Sequence, residues 1–330
     1  MVTDRTVSTL RIVFFGTPAF AVPTLDALLA SAHAVVGVVT QPDRPRGRGH
    51  HVADAPVKAR AIGAGVPVLQ PLRLKDPSFT NALRALHADL GVVAAYGRIL
   101  TDEVLAVPRF GMINVHASLL PRYRGAAPVH RAIMAGEDET GVTIMRVVKA
   151  LDAGPMLRSA RRPIGIDETS EQVERDLARL GGDLLVRAVD DIAAGRARET
   201  AQDDAAATYA PRLTREDGVV EWCKPARRIH DQIRGLHPWP HAHAFVRDRR
   251  LILLRSSLTS ETAGAGNPGT IVEASGERLI VATGDAPLRL VEVQAEGKRP
   301  MLVRDFMAGH HLLVGDRFTA APRSRAPDQG

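Results

Sequence analysis

Asn114 and His116 stand two positions apart at the end of an apolar run, Met112-Ile113-Asn114-Val115-His116, which reads as the end of a buried strand. Strand side chains alternate with period two, so both residues point to the same side. That sets an amide donor beside a titratable imidazole. Beyond His116 the periodicity stops, and Pro121, Gly125 and Pro128 in ASLLPRYRGAAP mark an ordered loop. A polar pair on a strand end before a turn-rich loop is where open α/β sheets hold their sites. The plainer role for these types is a core His bonded to a backbone carbonyl and an Asn capping a turn. A carboxylate follows at Asp152, in the turn Asp152-Ala153-Gly154-Pro155, where capping the turn is its ordinary role.

A second chemistry-bearing stretch is QPDRPRGRGHH, residues 41–51, in which Arg44, Arg46 and Arg48 are spaced by Pro and Gly. It has no hydrophobic period and cannot form a core. By composition it is either a solvated surface loop or a basic finger for nucleic-acid phosphate, which guanidinium groups bind bidentately.

The elements that must position these residues are legible around them. Arg11 to Phe15 is a continuous apolar run ended by Gly16-Thr17-Pro18, Phe20 to Leu29 carries apolar residues at helical spacing, and Ala34 to Thr40 is strand-like. The chain thus opens with a βαβ unit, and by inference a parallel sheet. The single Gly at the first turn does not make the dinucleotide fingerprint, which argues against a nicotinamide cofactor. Further helices are expected over 55–64, 79–87 and 129–135, and strands over 67–69, 90–95, 141–148 and 156–159. A long amphipathic helix over 169–194, capped by Thr169 or Ser170, closes the first domain.

Residues 196–211, RARETAQDDAAATYAP, have little apolar content and are expected as a linker. After them a helix over 226–236 stops at His237-Pro238-Trp239-Pro240. Five short strand-like segments follow between 241 and 293, and a helix over 301–307. Many short strands with evenly spread turns favour a small barrel. Trp222 and Trp239 are expected in its core, and residues 320–330 as a disordered tail.

Bulk properties bound the function. The lone cysteine, Cys223, excludes a disulfide framework and a Cys-based metal cluster. The first ten residues lack the pattern of a signal peptide, and no apolar run is long enough to span a membrane, so a cytoplasmic protein is expected. From Ala210 onward there are 18 basic against 14 acidic residues, compared with 25 against 23 before it. A basic C-terminal part suits a phosphate-bearing substrate.

The set FFGTPAFA, QPDRPRGRG, INVHASLLPRYRGAAP, TGVTIMRVVKALDAGPML and HPWP resembles the 10-formyltetrahydrofolate-dependent formyltransferases, in order and spacing, from about Arg11 to Phe318. The N-x-H and SLLP motifs belong to the wider family. The Arg-rich loop and the C-terminal domain narrow the resemblance to the members that act on methionyl-tRNA.

That resemblance implies an α/β fold: a Rossmann-like catalytic domain over 8–195, the linker over 196–211, and an OB-like β-barrel over 212–319 that binds tRNA. It implies formyl transfer from 10-formyltetrahydrofolate, as co-substrate, to the α-amine of methionine on initiator methionyl-tRNA. A monomer without a metal is expected. Carried over by motif, the catalytic residues are Asn114, His116 and Asp152, and the folate-contacting residues are Ser118, Leu119, Leu120 and Pro121. Arg48 is implied for the tRNA acceptor end, with Arg44 and Arg46 beside it. Arg212, in YAPRL, stands where family members commonly carry a Lys; the charge is kept but the donor geometry differs.

In such a reaction an amine attacks the formyl carbon and oxygen takes up negative charge. Asn114 can donate to that oxygen, and His116, when protonated, can add a charge-assisted bond. Asp152 can hold the imidazole or accept the amine's proton through water. Three other activities share parts of these features: formyl transfer to an amino-sugar nucleotide, hydrolysis of the folate with water in place of the amine, and RNA binding without catalysis.

Overall fold

The structure, a computed structural model, describes residues 8–43, 54–259 and 266–322, together with the backbone at 45–46 and 51–52. The chain divides into two compact units. Unit 1 comprises residues up to 128 with 139–163 and 174–211; unit 2 comprises 129–138, 164–173 and everything from Arg212.

Unit 1 begins with β1 (Arg11–Gly16), α1 (Val22–Leu29) and β2 (Ala34–Val39), the βαβ opening read from the sequence. Ile12 to Phe15 are wholly buried, as expected of a central strand covered on both faces. Two-residue strands β3 (Pro45–Arg46) and β4 (His51–Val52) then pair with each other. Next come α2 (Pro56–Gly63), β5 (Val68–Leu69), α3 (Pro77–Ala85), β6 (Leu90–Ala94), α4 (Asp102–Leu105), β7 (Met112–His116) and β8 (Arg124–Gly125). Side-chain caps set two helix starts: Asp76 accepts from the Ser78 N–H and Thr101 from the Val104 N–H.

Past α5 (Pro128–Ala135) the chain forms β9 (Glu139–Arg146), β10 (Met156–Pro163) and α6 (Ser170–Ala193). Thr169 caps α6, its N–H donating to the Gln172 side chain three residues on. The seven-stranded sheet has the order β10-β9-β7-β6-β1-β2-β5. The five strands from β7 to β5 run parallel, as expected, but β9 lies antiparallel to β7 and β10 to β9. The β9–β10 connection is a short hairpin, too short to cross over the sheet, so the pair must run antiparallel. Sheet order reverses at β1, and β7 ends at His116 on the carboxyl side of the parallel strands, where such sheets place their ligands.

Residues 196–211, expected as the linker, are ordered against unit 1. Thr200 bridges Met156, and β11 (Tyr209–Ala210) pairs in parallel with β8.

Unit 2 is built on α7 (Ala226–Gly235) and strands β12 (Ala242–Val246), β13 (Arg249–Leu258), β14 (Ile271–Ser275), β15 (Arg278–Val281), β16 (Leu288–Ala295), β17 (Met301–Leu302) and β18 (Phe318–Thr319), with α8 (Val303–Gly309) before the last. The antiparallel sheet runs β14-β15-β16-β13-β12-β18 and curls until Thr270 bridges Arg317, bringing its two ends together in an OB-like barrel. Its core includes Trp222, which packs on Phe318, but Trp239, also expected inside, is 51% exposed. Flanking prolines hold Trp239 in a turn outside any strand, so no alternation directs it inward.

Two segments that sequence order would assign to the first domain belong to unit 2: α5 and residues 164–173. Buried polar groups of α7 hold the second of them. The His230 imidazole donates from Nε2 to the Ile166 carbonyl at 2.8 Å, and Arg234 donates to the Gly165 and Glu168 carbonyls. Fully buried Asp231 is flanked by Arg227 and Arg234, so its charge is compensated inside the unit.

Candidate active site

β7 carries two of the candidate residues. In register, Asn114 lies between Val93 of β6 and Met145 of β9, and His116 lies opposite Thr143 of β9. Both fall on one face, as the alternation requires. Asn114 is half-buried, and among the described residues its side-chain amide makes no hydrogen bond. An amide on a strand inside a paired sheet, with its donors uncommitted, is available to a ligand.

His116 is 5% exposed, and its Nε2 lies 2.9 Å from the Tyr123 carbonyl oxygen. A carbonyl only accepts, so Nε2 carries the proton in that bond. The bond expected of a core histidine therefore occupies one ring nitrogen and leaves the other without a hydrogen bond among the described residues. Nδ1 faces Asp152, 3.8 Å from Oδ2, which is within ion-pair range but too long for a hydrogen bond.

Asp152 sits in the turn between β9 and β10 with φ 49°, a left-handed conformation that Asp tolerates better than most residues. Its Oδ2 accepts the Gly125 N–H at 2.9 Å. Gly125 itself needs φ 123° and lies so near β11 that an added Cβ would stand 2.6 Å from the Ala210 carbonyl oxygen. The structure thus brings Asn114, His116 and Asp152 together, with Gly125 fixing the carboxylate.

The loop after β7 divides its work. Ser118 is fully buried; its hydroxyl donates to the Arg122 carbonyl at 2.6 Å, and its own carbonyl accepts from Thr143. Thr143 Oγ1 also accepts from the Leu120 N–H. Ser118 therefore shapes the loop. Leu119, Leu120 and Pro121 line a cleft of about 300 Å³ with Tyr123, Thr140 and Arg161.

Arg122, Tyr123 and Arg124 follow the SLLP motif directly. Arg124 is 4% exposed, and its guanidinium donates to Gln202 Oε1 and pairs with Asp204. Arg122 is exposed, with its guanidinium 5.3 Å from the Tyr123 ring centre. Gln202 was missed altogether, because a neutral polar residue in an aperiodic stretch gives no sequence signal. Arg44 and Arg48 lie outside the described residues, as does the side chain of Arg46. Arg212 belongs to unit 2; its guanidinium is exposed and, among the described residues, unpaired.

A Rossmann-like sheet with an amide and an imidazole at one strand end, and a carboxylate in a turn beside them, has the make-up of an α/β enzyme. Residues 10–189 match the family model described as formyl transferase, and residues 212–311 match the formyl transferase C-terminal domain. The chain belongs to the formyl transferase family.

Three relatives of similar length carry one name. The methionyl-tRNA formyltransferase of Moorella thermoacetica is 46% identical over 307 residues, covering 93% of this chain and 98% of the relative. Those of Methylococcus capsulatus and Citrifermentans bemidjiense are 46% and 45% identical, over 94% and 93% of this chain and 99% and 95% of their own lengths. Solved structures share the fold at lower identity. An N-formyltransferase from Helicobacter canadensis, in complex with folinic acid and dTDP-3-aminofucose, superposes with a TM-score of 0.66 at 18% identity over 87% of this chain and all of its own. HypX from Aquifex aeolicus, in complex with tetrahydrofolic acid, gives 0.61 at 16% identity over 91% of this chain and 47% of its own.

Proposed function

We propose that this chain transfers a formyl group from 10-formyltetrahydrofolate to the α-amine of methionine on initiator methionyl-tRNA, giving N-formylmethionyl-tRNA for translation initiation. Asn114, His116 and Asp152 are the residues at the reacting atoms. The chemical part rests above all on the uncommitted Asn114 amide beside an imidazole whose Nδ1 faces Asp152. The choice of acceptor rests on the likeness to methionyl-tRNA formyltransferases across nearly the whole chain.

In the reaction a carbon–nitrogen bond forms to the methionine amine and the formyl carbon–folate nitrogen bond breaks. The amine loses a proton and the folate nitrogen gains one. Asn114 donates N–H to the formyl oxygen as negative charge builds there; one such donor contributes roughly 3–4 kcal/mol of transition-state stabilisation. Because Nε2 is bonded to Tyr123, proton exchange at His116 belongs to Nδ1. When Nδ1 is protonated, the Asp152 carboxylate at 3.8 Å stabilises the imidazolium. Oδ1 of Asp152 has no partner among the described residues, and the side chain is 14% exposed, so it can take the amine's proton through one water.

Leu119, Leu120 and Pro121 supply apolar surface for the folate, with Ser118 holding their loop. Arg44, Arg46, Arg48 and Arg212 bind tRNA phosphates. The region over 212–319 serves tRNA binding and that over 8–195 catalysis, joined by 196–211. The protein acts as a cytoplasmic monomer; among the described residues no helix is long and apolar enough to cross a membrane.

The test is one assay of the purified protein with 10-formyltetrahydrofolate and four acceptors: methionyl initiator tRNA, methionyl elongator tRNA, an amino-sugar nucleotide and water. Formylation of the initiator tRNA is expected. Transfer only to the sugar nucleotide or to water would overturn the proposed acceptor.

A further inference from the structure

We propose that Gln202 is a positioning residue for Asp152, and that the segment expected as a linker is thereby part of the catalytic machinery. The inference rests on the assignment of Asp152 to the reacting site.

Gln202 uses the whole hydrogen-bonding capacity of its carboxamide. Nε2 donates to the Asp152 carbonyl at 2.9 Å and to the Gly154 carbonyl at 2.8 Å. Oε1 accepts from Arg124 Nε at 3.0 Å and Nη2 at 2.9 Å. Only a carboxamide donates twice at one end and accepts twice at the other. Gln202 thus ties the main chain of the turn on both sides of Ala153 to a buried arginine. A tie helps that turn, because Asp152 has φ 49°, a conformation that costs any non-glycine residue something even though Asp tolerates it better than most.

The same segment also fixes the carboxylate. Tyr209 and Ala210 pair with Arg124 and Gly125, the Thr208 carbonyl accepts the Arg124 N–H at 2.8 Å, and Thr208 Oγ1 accepts the Tyr123 N–H at 2.8 Å. Gly125 donates to Asp152 Oδ2, and Tyr123 supplies the carbonyl bonded to His116 Nε2. Residues 202–210 therefore hold Asp152 by its backbone, and they hold the strand that orients both its carboxylate and the imidazole opposite. Arg124 extends the chain of contacts to Asp204 at 2.7 Å, so the guanidinium is anchored at two points of the segment. With its carboxamide taken up by protein partners, Gln202 acts through the geometry of Asp152.

The experiment measures kcat and KM for both substrates in Gln202→Ala, Gln202→Met and Gln202→Glu, alone and combined with Asp152→Asn, with folding followed by circular dichroism. Glu keeps an acceptor for Arg124 but turns an oxygen toward two carbonyls, so it tests the donor end alone. We expect kcat to fall on the order of 10- to 100-fold in every variant, since small misplacements of a reacting group have that scale. Both KM values should stay within about two-fold of wild type, and each double variant should be no slower than Asp152→Asn alone.

Wild-type kcat in the folded Gln202 variants, a loss confined to KM, or losses that multiply with that of Asp152→Asn would each overturn the inference. Loss of folding in all three would overturn it too, by assigning Gln202 a purely structural role. The assignment of Asp152 fails by a different result: wild-type kcat in Asp152→Asn itself.

Discussion

His116 Nδ1 stands 3.8 Å from Asp152 Oδ2, while the opposite ring nitrogen donates to the Tyr123 carbonyl. The ring is therefore locked by one nitrogen, and the other has no hydrogen bond among the described residues. A gap of 3.8 Å is too long for a direct hydrogen bond, so the imidazole and the carboxylate couple by charge and not by a shared proton. Asn114, two residues earlier on the same strand face, completes the arrangement.

Asp152→Asn keeps size and an oxygen for the Gly125 N–H but removes the charge facing His116. Proton transfer by a positioned side chain contributes about 10²–10⁴-fold. We predict a kcat decrease of that order in steady-state assays, with KM for 10-formyltetrahydrofolate little changed.

Gly154 closes the turn that carries Asp152. A Cβ there would lie 1.9 Å from the Arg146 carbonyl oxygen, and main chain at the end of a paired strand cannot swing aside as a long side chain could. Gly154→Ala should move the turn, lowering kcat on the order of 100-fold. It should also cost about 1–3 kcal/mol of stability, as overpacking does, in denaturant unfolding.

Unit 2 should be acid-labile. Burial lowers the affinity of His130 for a proton, to a pKa of about 4, with the positive charge of Arg131 adding to it. Burial likewise lowers His230, His241 and His243, the last two with help from His237 and Arg250 respectively. The unfolded chain protonates these imidazoles near pH 6.5, so it binds more protons than the fold does between pH 6.5 and the lowered values. Stability is then full above about pH 6.5 and falls as pH drops toward 4, with His130 alone contributing on the order of 3 kcal/mol. Both tryptophans, Trp222 and Trp239, lie in unit 2, so tryptophan fluorescence during urea unfolding at pH 7 and pH 5 reads this unit. His130→Gln should flatten the pH dependence.

Arg212, exposed and unpaired among the described residues, should act on tRNA and not on chemistry. Arg212→Ala is predicted to raise KM for initiator tRNA and to reduce the salt slope of binding by roughly 0.7–0.9 for one lost phosphate contact. Arg212→Lys should restore much of the slope, because counterion release depends on charge more than on donor geometry.

Much of this architecture was legible in the sequence because it is periodic. The apolar run of β1, the alternation that puts Asn114 and His116 on one face, and the apolar spacing of α6 each follow from one repeat. The strap of residues 200–210 was not legible. It is held by side-chain to backbone bonds, as at Gln202 and Thr208, and such bonds leave no repeat in the chain. The membership of residues 164–173 in unit 2 was hidden for the same reason, because buried His230 and Arg234 capture distant carbonyls. The sequence motif offered Ser118 as a folate contact; that its hydroxyl also donates to the Arg122 carbonyl and so shapes the loop is seen only in the structure. The carboxylate partner of His116 came from the family motif, since Asp152 lies 36 positions away in sequence and no periodic pattern links the two.

The most direct test of the central claim is the single-turnover rate of formyl transfer to methionyl initiator tRNA by Asn114→Ala. Loss of one donor to a developing oxyanion typically lowers the chemical rate by about 10²–10³-fold. A decrease of that size, with unchanged affinity for folate and tRNA, is the result predicted from the free amide at the end of β7. A rate within about two-fold of wild type, or a loss confined to tRNA affinity, would contradict it.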